Sequence, residues 1–186
     1  DERQRTAELI RPILRGRDIK RYGYNWDNLW LINTHNGIKG VKPRININEY
    51  SAVKAYLDQH WDKISKRADK GDTPYNLRNC AYMEDFYKPK IVWGNLNLSA
   101  AYSIAADGIF VNAPCPMIVP ASKYLLAILN SKVADYYIRQ LGVTRNGGYF
   151  EYKPMFVENL PVPNNIDCKT IEYLEACVNS KDESSI

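Results

Sequence analysis

Proline cuts or bounds most of the apolar runs in this chain that could form β-strands. Pro12 interrupts Leu9 to Leu14, Pro89 precedes Lys90-Ile91-Val92-Trp93, and Pro114, Pro116 and Pro120 punctuate residues 109–119. Proline has no N–H to give to a ladder, so these runs form strands that are short or at a sheet edge. Trp26 to Asn33 is dense in Trp, Leu and Ile and reads as a buried strand, with turn signals at Asn36-Gly37 and Lys39-Gly40 beyond it. A further β-type run covers 101–105, Val143 to Gly148 reads as a loop, and Tyr149 to Val157 as strand-like.

Helical spacing appears in two long segments. Tyr50, Val53, Leu57, Trp61 and Ile64 recur at threes and fours, which predicts a helix with one core-facing stripe, capped by Asn46 or Asn48 and otherwise basic through Lys54, Lys63, Lys66 and Arg67. Ser122 is a candidate N-cap for a long helix ending near Gly142, with Leu125, Ile128 or Leu129, Val133 and Tyr136 on its apolar face. Residues 169–178 predict one more helix, residues 1–25 a turn-rich opening, and Leu160-Pro161-Val162-Pro163 an exit linker. The expected class is mixed α/β (α+β), with short mixed and antiparallel strands and a few helices. No internal repeat or low-complexity tract is present.

At 186 residues and 45% hydrophobic, the chain can bury one sizeable core. We expect a domain over 1–163, followed by a helix and polar tail over 164–186. Basic charge is front-loaded: residues 1–90 hold 18 Lys and Arg against 12 Asp and Glu, a net +6, while 91–186 hold 7 against 9, a net −2. Such asymmetry suits a face laid along a polyanion, and equally an ordinary solvated face. Cysteines 80, 115, 168 and 177 lack zinc-ligand spacing, and His35 and His60 have no acid-base partner. Without a signal peptide or a run of about 18 apolar residues, the expected setting is cytoplasmic, with no membrane partner. The first residue is Asp rather than Met, from which a longer parent with a catalytic half elsewhere is expected.

Three segments could meet a nucleic acid. Arg15-Gly16-Arg17-Asp18, continued by Lys20 and Arg21, is a tight basic turn whose guanidinium forks fit phosphates or a guanine edge; the alternative is an internal Arg-Asp pair holding the turn. Thr144-Arg145-Asn146-Gly147-Gly148-Tyr149 combines paired glycines, which permit close backbone approach, with donors and acceptors suited to base edges. A plain surface hairpin would use the same residues. Lys88 and Lys90 could pin phosphates at a sheet edge or face solvent as gatekeepers, and Arg78 upstream carries the same two readings.

Glu151-Tyr152-Lys153 with Asp135 upstream loosely fits a metal-dependent nuclease site, made of three common residue types at loose spacing. A methyltransferase needs a glycine-rich cofactor loop and an Asn/Asp-Pro-Pro-Tyr/Phe segment to hold a flipped adenine, and neither occurs. P-loop, Gly-x-Ser-x-Gly and Cys/His nucleophile patterns are also missing from the sequence.

Taken together, the segments resemble a known family. Ile10-Arg11-Pro12-Ile13-Leu14-Arg15-Gly16-Arg17-Asp18-Ile19, Tyr56-Leu57 followed by Arg67, Tyr75-Asn76-Leu77-Arg78, Lys88-Pro89-Lys90-Ile91, Tyr124 through Ser131, and Glu158-Asn159-Leu160-Pro161-Val162-Pro163 stand in the order seen in TaqI-like C-terminal specificity domains. These are the target recognition domains of type IIG restriction-modification enzymes and adenine-specific DNA methyltransferases. The likeness runs from about Leu9 to Pro163.

The resemblance implies a module that clamps double-stranded DNA against an N-terminal methyltransferase domain of the parent chain. Sequence specificity would reside here and catalysis elsewhere, so the fragment itself is expected to be no enzyme and to hold no cofactor. S-adenosylmethionine and magnesium would belong to the parent. The expected DNA-binding residues are Arg15, Arg17, Lys20, Arg21, Arg78, Lys88, Lys90, Thr144, Arg145, Asn146, Gly147, Gly148, Tyr149 and Lys153. The segment 169–178 would begin a spacer helix. The alternative is a basic structural or protein-interaction domain whose aromatics are docking hot spots.

Overall fold

A computed structural model describes residues 2–180. In chain order the elements are α1 (Glu2–Leu9), β1 (Ile10–Leu14), β2 (Ile19–Lys20), β3 (Gly23–Tyr24), β4 (Trp30–Ile32), α2 (Ser51–Asp58), α3 (Trp61–Ile64), β5 (Lys90–Trp93), β6 (Leu96–Asn97), β7 (Tyr102–Ala105), β8 (Phe110–Val111), β9 (Met117–Ile118), α4 (Lys123–Leu129), α5 (Lys132–Leu141), β10 (Thr144–Arg145), β11 (Tyr149–Glu151), α6 (Pro154–Val157) and α7 (Cys168–Ser180). This is the mixed α/β class expected, in short and mostly antiparallel strands. The chain forms two compact units, the first from the residues up to Pro12 with Trp30–Glu84, the second from Ile13–Leu29 with the described residues from Asp85 onward.

The first unit opens on a helix where a turn-rich segment was expected. The Glu2 carboxylate in α1 accepts hydrogen bonds from the Ser51 hydroxyl and the Ala52 amide, supplying the N-terminal cap that Tyr50 does not give α2. Asn46 caps a separate 3₁₀ turn over Ile47–Glu49, and the helix predicted from Tyr50 to Ile64 breaks near His60 into α2 and α3. Of the predicted stripe only Val53 is buried, while Trp61 lies against the Tyr75 ring with its own side chain partly exposed. The unit is held by Asn76, whose amide nitrogen donates to the carbonyls of Thr34, His35 and Ile45 while its oxygen accepts from Thr73. β1 pairs here with β4, Ile10 opposite Ile32 and Pro12 opposite Trp30.

In the second unit β5 is buried at all four positions, between β7 and β9 and antiparallel to both. Of its two neighbours, β9 is short because Pro116 and Pro120 bound it, as proline's missing donor requires. Ile91, Trp93, Tyr102, Leu126, Leu129, Ile138, Tyr152 and Val178 form the core, so α7 packs into this unit. Asn130, buried just after α4, donates to the Tyr102 carbonyl and accepts from the Tyr102 amide.

The long helix expected over 122–142 is two helices. Asn130 ends α4, Ser131 caps α5 by accepting from the Ala134 amide, and the change of direction resets which residues face inward. Ala134 and Ile138 are buried, while Val133 (78% exposed) and Tyr136 (67%), predicted on the core side, point to solvent. The strand expected over 149–157 ends at Glu151, because Pro154 begins α6, where its fixed φ and missing donor suit a first turn. Among the described residues, no helix is long and apolar enough to cross a membrane.

Candidate nucleic-acid interface

Three backbone segments far apart in sequence converge within the second unit. The turn at 16–20, the loop at 94–99 and the hairpin of β10 and β11 line an open cleft of about 700 Å³, with Arg17, Lys20, Arg145, Tyr149 and Lys153 around it. Close contact between Gly16 and Gly94 brings the first two walls together.

The first wall owes its shape to Arg15. Its guanidinium donates through Nε and Nη2 to Asp18 and through Nη2 to Asp27, and its amide is bonded by Asp18 as well. Asp18 is 5% exposed, and the Arg15 hydrogen bonds hold its carboxyl below the usual carboxylate range. The internal pair thus forms, with Arg15 as a strut. Arg17, two residues on, is exposed, and among the described residues it makes no ion pair. The Lys20 ammonium is also exposed and donates to the Arg17 carbonyl. Arg21 turns inward, over the Tyr22 ring and onto the Asn130 carbonyl at the C-terminus of α4, where cations are favoured.

The opposite wall is a hairpin. Thr144 pairs with Phe150 and Arg145 with Tyr149, while β11 continues onto β6 through Phe150–Asn97 and Glu151–Leu96. Gly147 and Gly148 both take φ of +79°, the left-handed region that makes glycine necessary for so tight a turn. Residues 144–149 are all exposed. Glu151 beneath them is only 4% exposed and is bonded to Lys153 at 2.8 Å and to Arg145 on its other oxygen. These cations, Lys153 first, keep the Glu151 carboxyl well below its ordinary range. Tyr152 anchors the strand: its carbonyl accepts from the Trp93 indole and its hydroxyl donates to Asp135.

The remaining expected residues lie elsewhere. Arg78 is exposed in the first unit, and Lys88 is exposed and paired with Asp85 at 2.7 Å. Lys90 is a correction, because its ammonium is fully buried and donates to the carbonyls of Phe86, Lys88 and Ala106. Burial pushes it down to about 8. Lys90 is the first residue of β5, which lies between β7 and β9 and is buried at all four positions, so its side chain does not stand at a sheet edge. Asp135 and Glu151 do not share a site, since Asp135 serves the Tyr152 hydroxyl, the Ala100 amide and Arg139. Among the described residues, no group of three or more His, Cys, Asp or Glu could hold a metal ion.

Residues 95–99 also line the cleft and are not among the expected DNA-binding residues. Their polar-apolar alternation, Asn95, Leu96, Asn97, Leu98, Ser99, was the available signal. Leu96 and Leu98 stand more than half exposed, while Asn97 donates to the Gly94 carbonyl.

The chain belongs to the TaqI-like C-terminal specificity domain family, whose model matches residues 11–162. It is 23% identical over 164 residues to the type II methyltransferase M.BstVI of Geobacillus stearothermophilus, covering 84% of this chain and 28% of that protein. To the type II methyltransferase M.BanIII of Aneurinibacillus aneurinilyticus it is 22% identical over 208 residues, covering all of this chain and 35% of that protein. The chain therefore spans about a third or less of these relatives. Its fold matches part of the type IIL restriction-modification enzyme MmeI, solved in complex with DNA, at a TM-score of 0.66 and 14% identity over 97% of this chain and 24% of that one. The type IIG restriction endonuclease BpuSI matches at 0.60 and 17% identity, over 93% of this chain and 21% of that one.

Proposed function

We propose that this chain is the DNA-reading part of a restriction-modification enzyme, directing adenine methylation or cleavage performed by other domains of a longer polypeptide. The observation that carries this reading is the cleft, where Arg17, Lys20, Arg145 and Lys153 gather from separate segments beside an exposed glycine turn. Arg17 and Lys20 hold phosphates, while the 144–149 turn enters the major groove with Arg145 toward a guanine edge and Asn146 toward adenine. The recognition domain comprises residues 1–163 together with α7, whose Val178 lies in the core of the second unit. S-adenosylmethionine, magnesium and the catalytic residues belong to the rest of the parent, a cytoplasmic enzyme.

A second reading draws on α5, whose Val133, Tyr136 and Tyr137 share an exposed face suited to a protein neighbour. The test is titration of the chain with random duplex DNA at several salt concentrations. DNA reading expects weak binding, Kd about 10⁻⁴ to 10⁻⁶ M at physiological salt, that falls steeply with salt. Affinity that stays flat with salt sinks that reading and favours protein docking.

A further inference from the structure

We infer that Glu151 is a positioning residue that sets which edge of the Arg145 guanidinium faces the DNA, and so which base Arg145 selects. The inference rests on the reading of Arg145 as a base-contacting residue. Arg145 extends from β10 and Glu151 from β11, one step beyond the Thr144–Phe150 pair, so the two side chains meet diagonally across the ladder. One carboxylate oxygen of Glu151 accepts from both Nε and Nη2 of Arg145, and the other from the Lys153 ammonium.

Arginine carries five N–H donors in a rigid plane. Glu151 takes the Nε–H and one Nη2 hydrogen, which leaves both Nη1 hydrogens and the outer Nη2 hydrogen without a partner among the described residues. The outer Nη2 hydrogen and the adjacent Nη1 hydrogen form an end-on fork that fits the O6 and N7 acceptors of guanine. The anchor is firm because the carboxylate is nearly fully buried while the Arg145 side chain remains 54% exposed. A freely rotating arginine would offer its charge to any phosphate or acceptor. A pinned one discriminates between base edges.

The test uses the longer chain that carries this domain, with selection from a randomised duplex library and a parallel titration of random duplex. In Glu151→Gln the preference at one base position should fall by about 5- to 100-fold. Affinity for random duplex should hold or rise, since a negative charge is lost and Lys153 is released toward phosphate. Arg145→Ala should flatten the same position, and adding Glu151→Gln to it should change the preference no further, because Glu151 acts through Arg145. If the Gln variant loses its cooperative unfolding transition, Glu151→Asp carries the same expectation: it keeps the charge but draws it back by one methylene. Flattening by Arg145→Ala together with an unchanged preference in the Glu151 variants overturns the inference while sparing the reading role of Arg145. Parallel loss of preference and random-duplex affinity marks Glu151 as structural only and also overturns it. An unchanged preference in Arg145→Ala overturns both.

Discussion

Gly16 and Gly94 meet backbone to backbone: a Cβ on Gly94 would stand 3.3 Å from the Gly16 Cα, and one on Gly16 would stand 3.4 Å from the Gly94 Cα. This contact joins the basic turn to the loop at 94–99 and so sets the separation of two walls of the cleft. Neither glycine has a positive φ, so closeness rather than backbone conformation is what demands the missing side chain.

Gly94→Ala should therefore force the two segments apart by a few tenths of an ångström. We expect a loss of about 1 to 3 kcal/mol, as for overpacked cores, measured by urea denaturation. Binding of random duplex should weaken with it.

Arg15 and Arg17 should separate in function although they are two residues apart. Arg17→Ala is expected to leave the unfolding midpoint unchanged and to lower the slope of log K against log salt by about 1. Arg15→Ala removes the strut from Asp18 and Asp27, so its main effect should be a lower thermal midpoint. Equal effects of the two variants on the salt slope would contradict this division.

Asn130→Leu leaves the Tyr102 amide without its side-chain acceptor in a buried position. A loss of about 2 to 4 kcal/mol is expected, read by thermal melting. The Tyr22 amide still donates to the Tyr102 carbonyl, which limits the damage on that side.

Lys90 gives a pH dependence whose sign follows from its burial. Its folded pKa, about 8, lies below the ordinary 10.5, so between these values the unfolded chain holds a proton that the folded chain does not. Stability attributable to Lys90 therefore rises with pH across that window and is level below about pH 8. Relative to Lys90→Met, the protein should gain up to about 3 kcal/mol between those limits, measured by denaturation at matched pH. A constant difference between the two proteins would show that the ammonium is not desolvated.

Much of the local structure was legible because it depends on near neighbours. Ser122 caps its helix by accepting from the Leu125 amide, 169–178 is helical, and the Asn146-Gly147-Gly148 turn closes a hairpin. Where the reading failed, a short-range signal met a longer-range competitor. Val133 and Tyr136 continue the spacing of Leu125 and Leu129 in sequence, but the Ser131 cap and the inward pull on Ala134 and Ile138 outweigh that pattern. Lys90 reads as a surface cation until the strands on either side of β5 are in place.

The sequence by itself determined short strands beside Pro89, Pro116 and Pro120, although β1 runs through Pro12, together with the basic turn at 15–21 and the glycine turn at 147–148. Tertiary structure alone decided which cations stay available. Arg15, Arg21, Lys90 and Arg145 are alike in sequence as basic residues, yet the fold ties Arg15 to two carboxylates, Arg21 to a helix end, Lys90 to three carbonyls and Arg145 to one buried glutamate. The physical reason is that a charge removed from water must be met by opposite charge or by hydrogen-bonding partners, and whether a near neighbour such as Asp18 or a distant group such as the Asn130 carbonyl meets it is fixed only by the folded backbone.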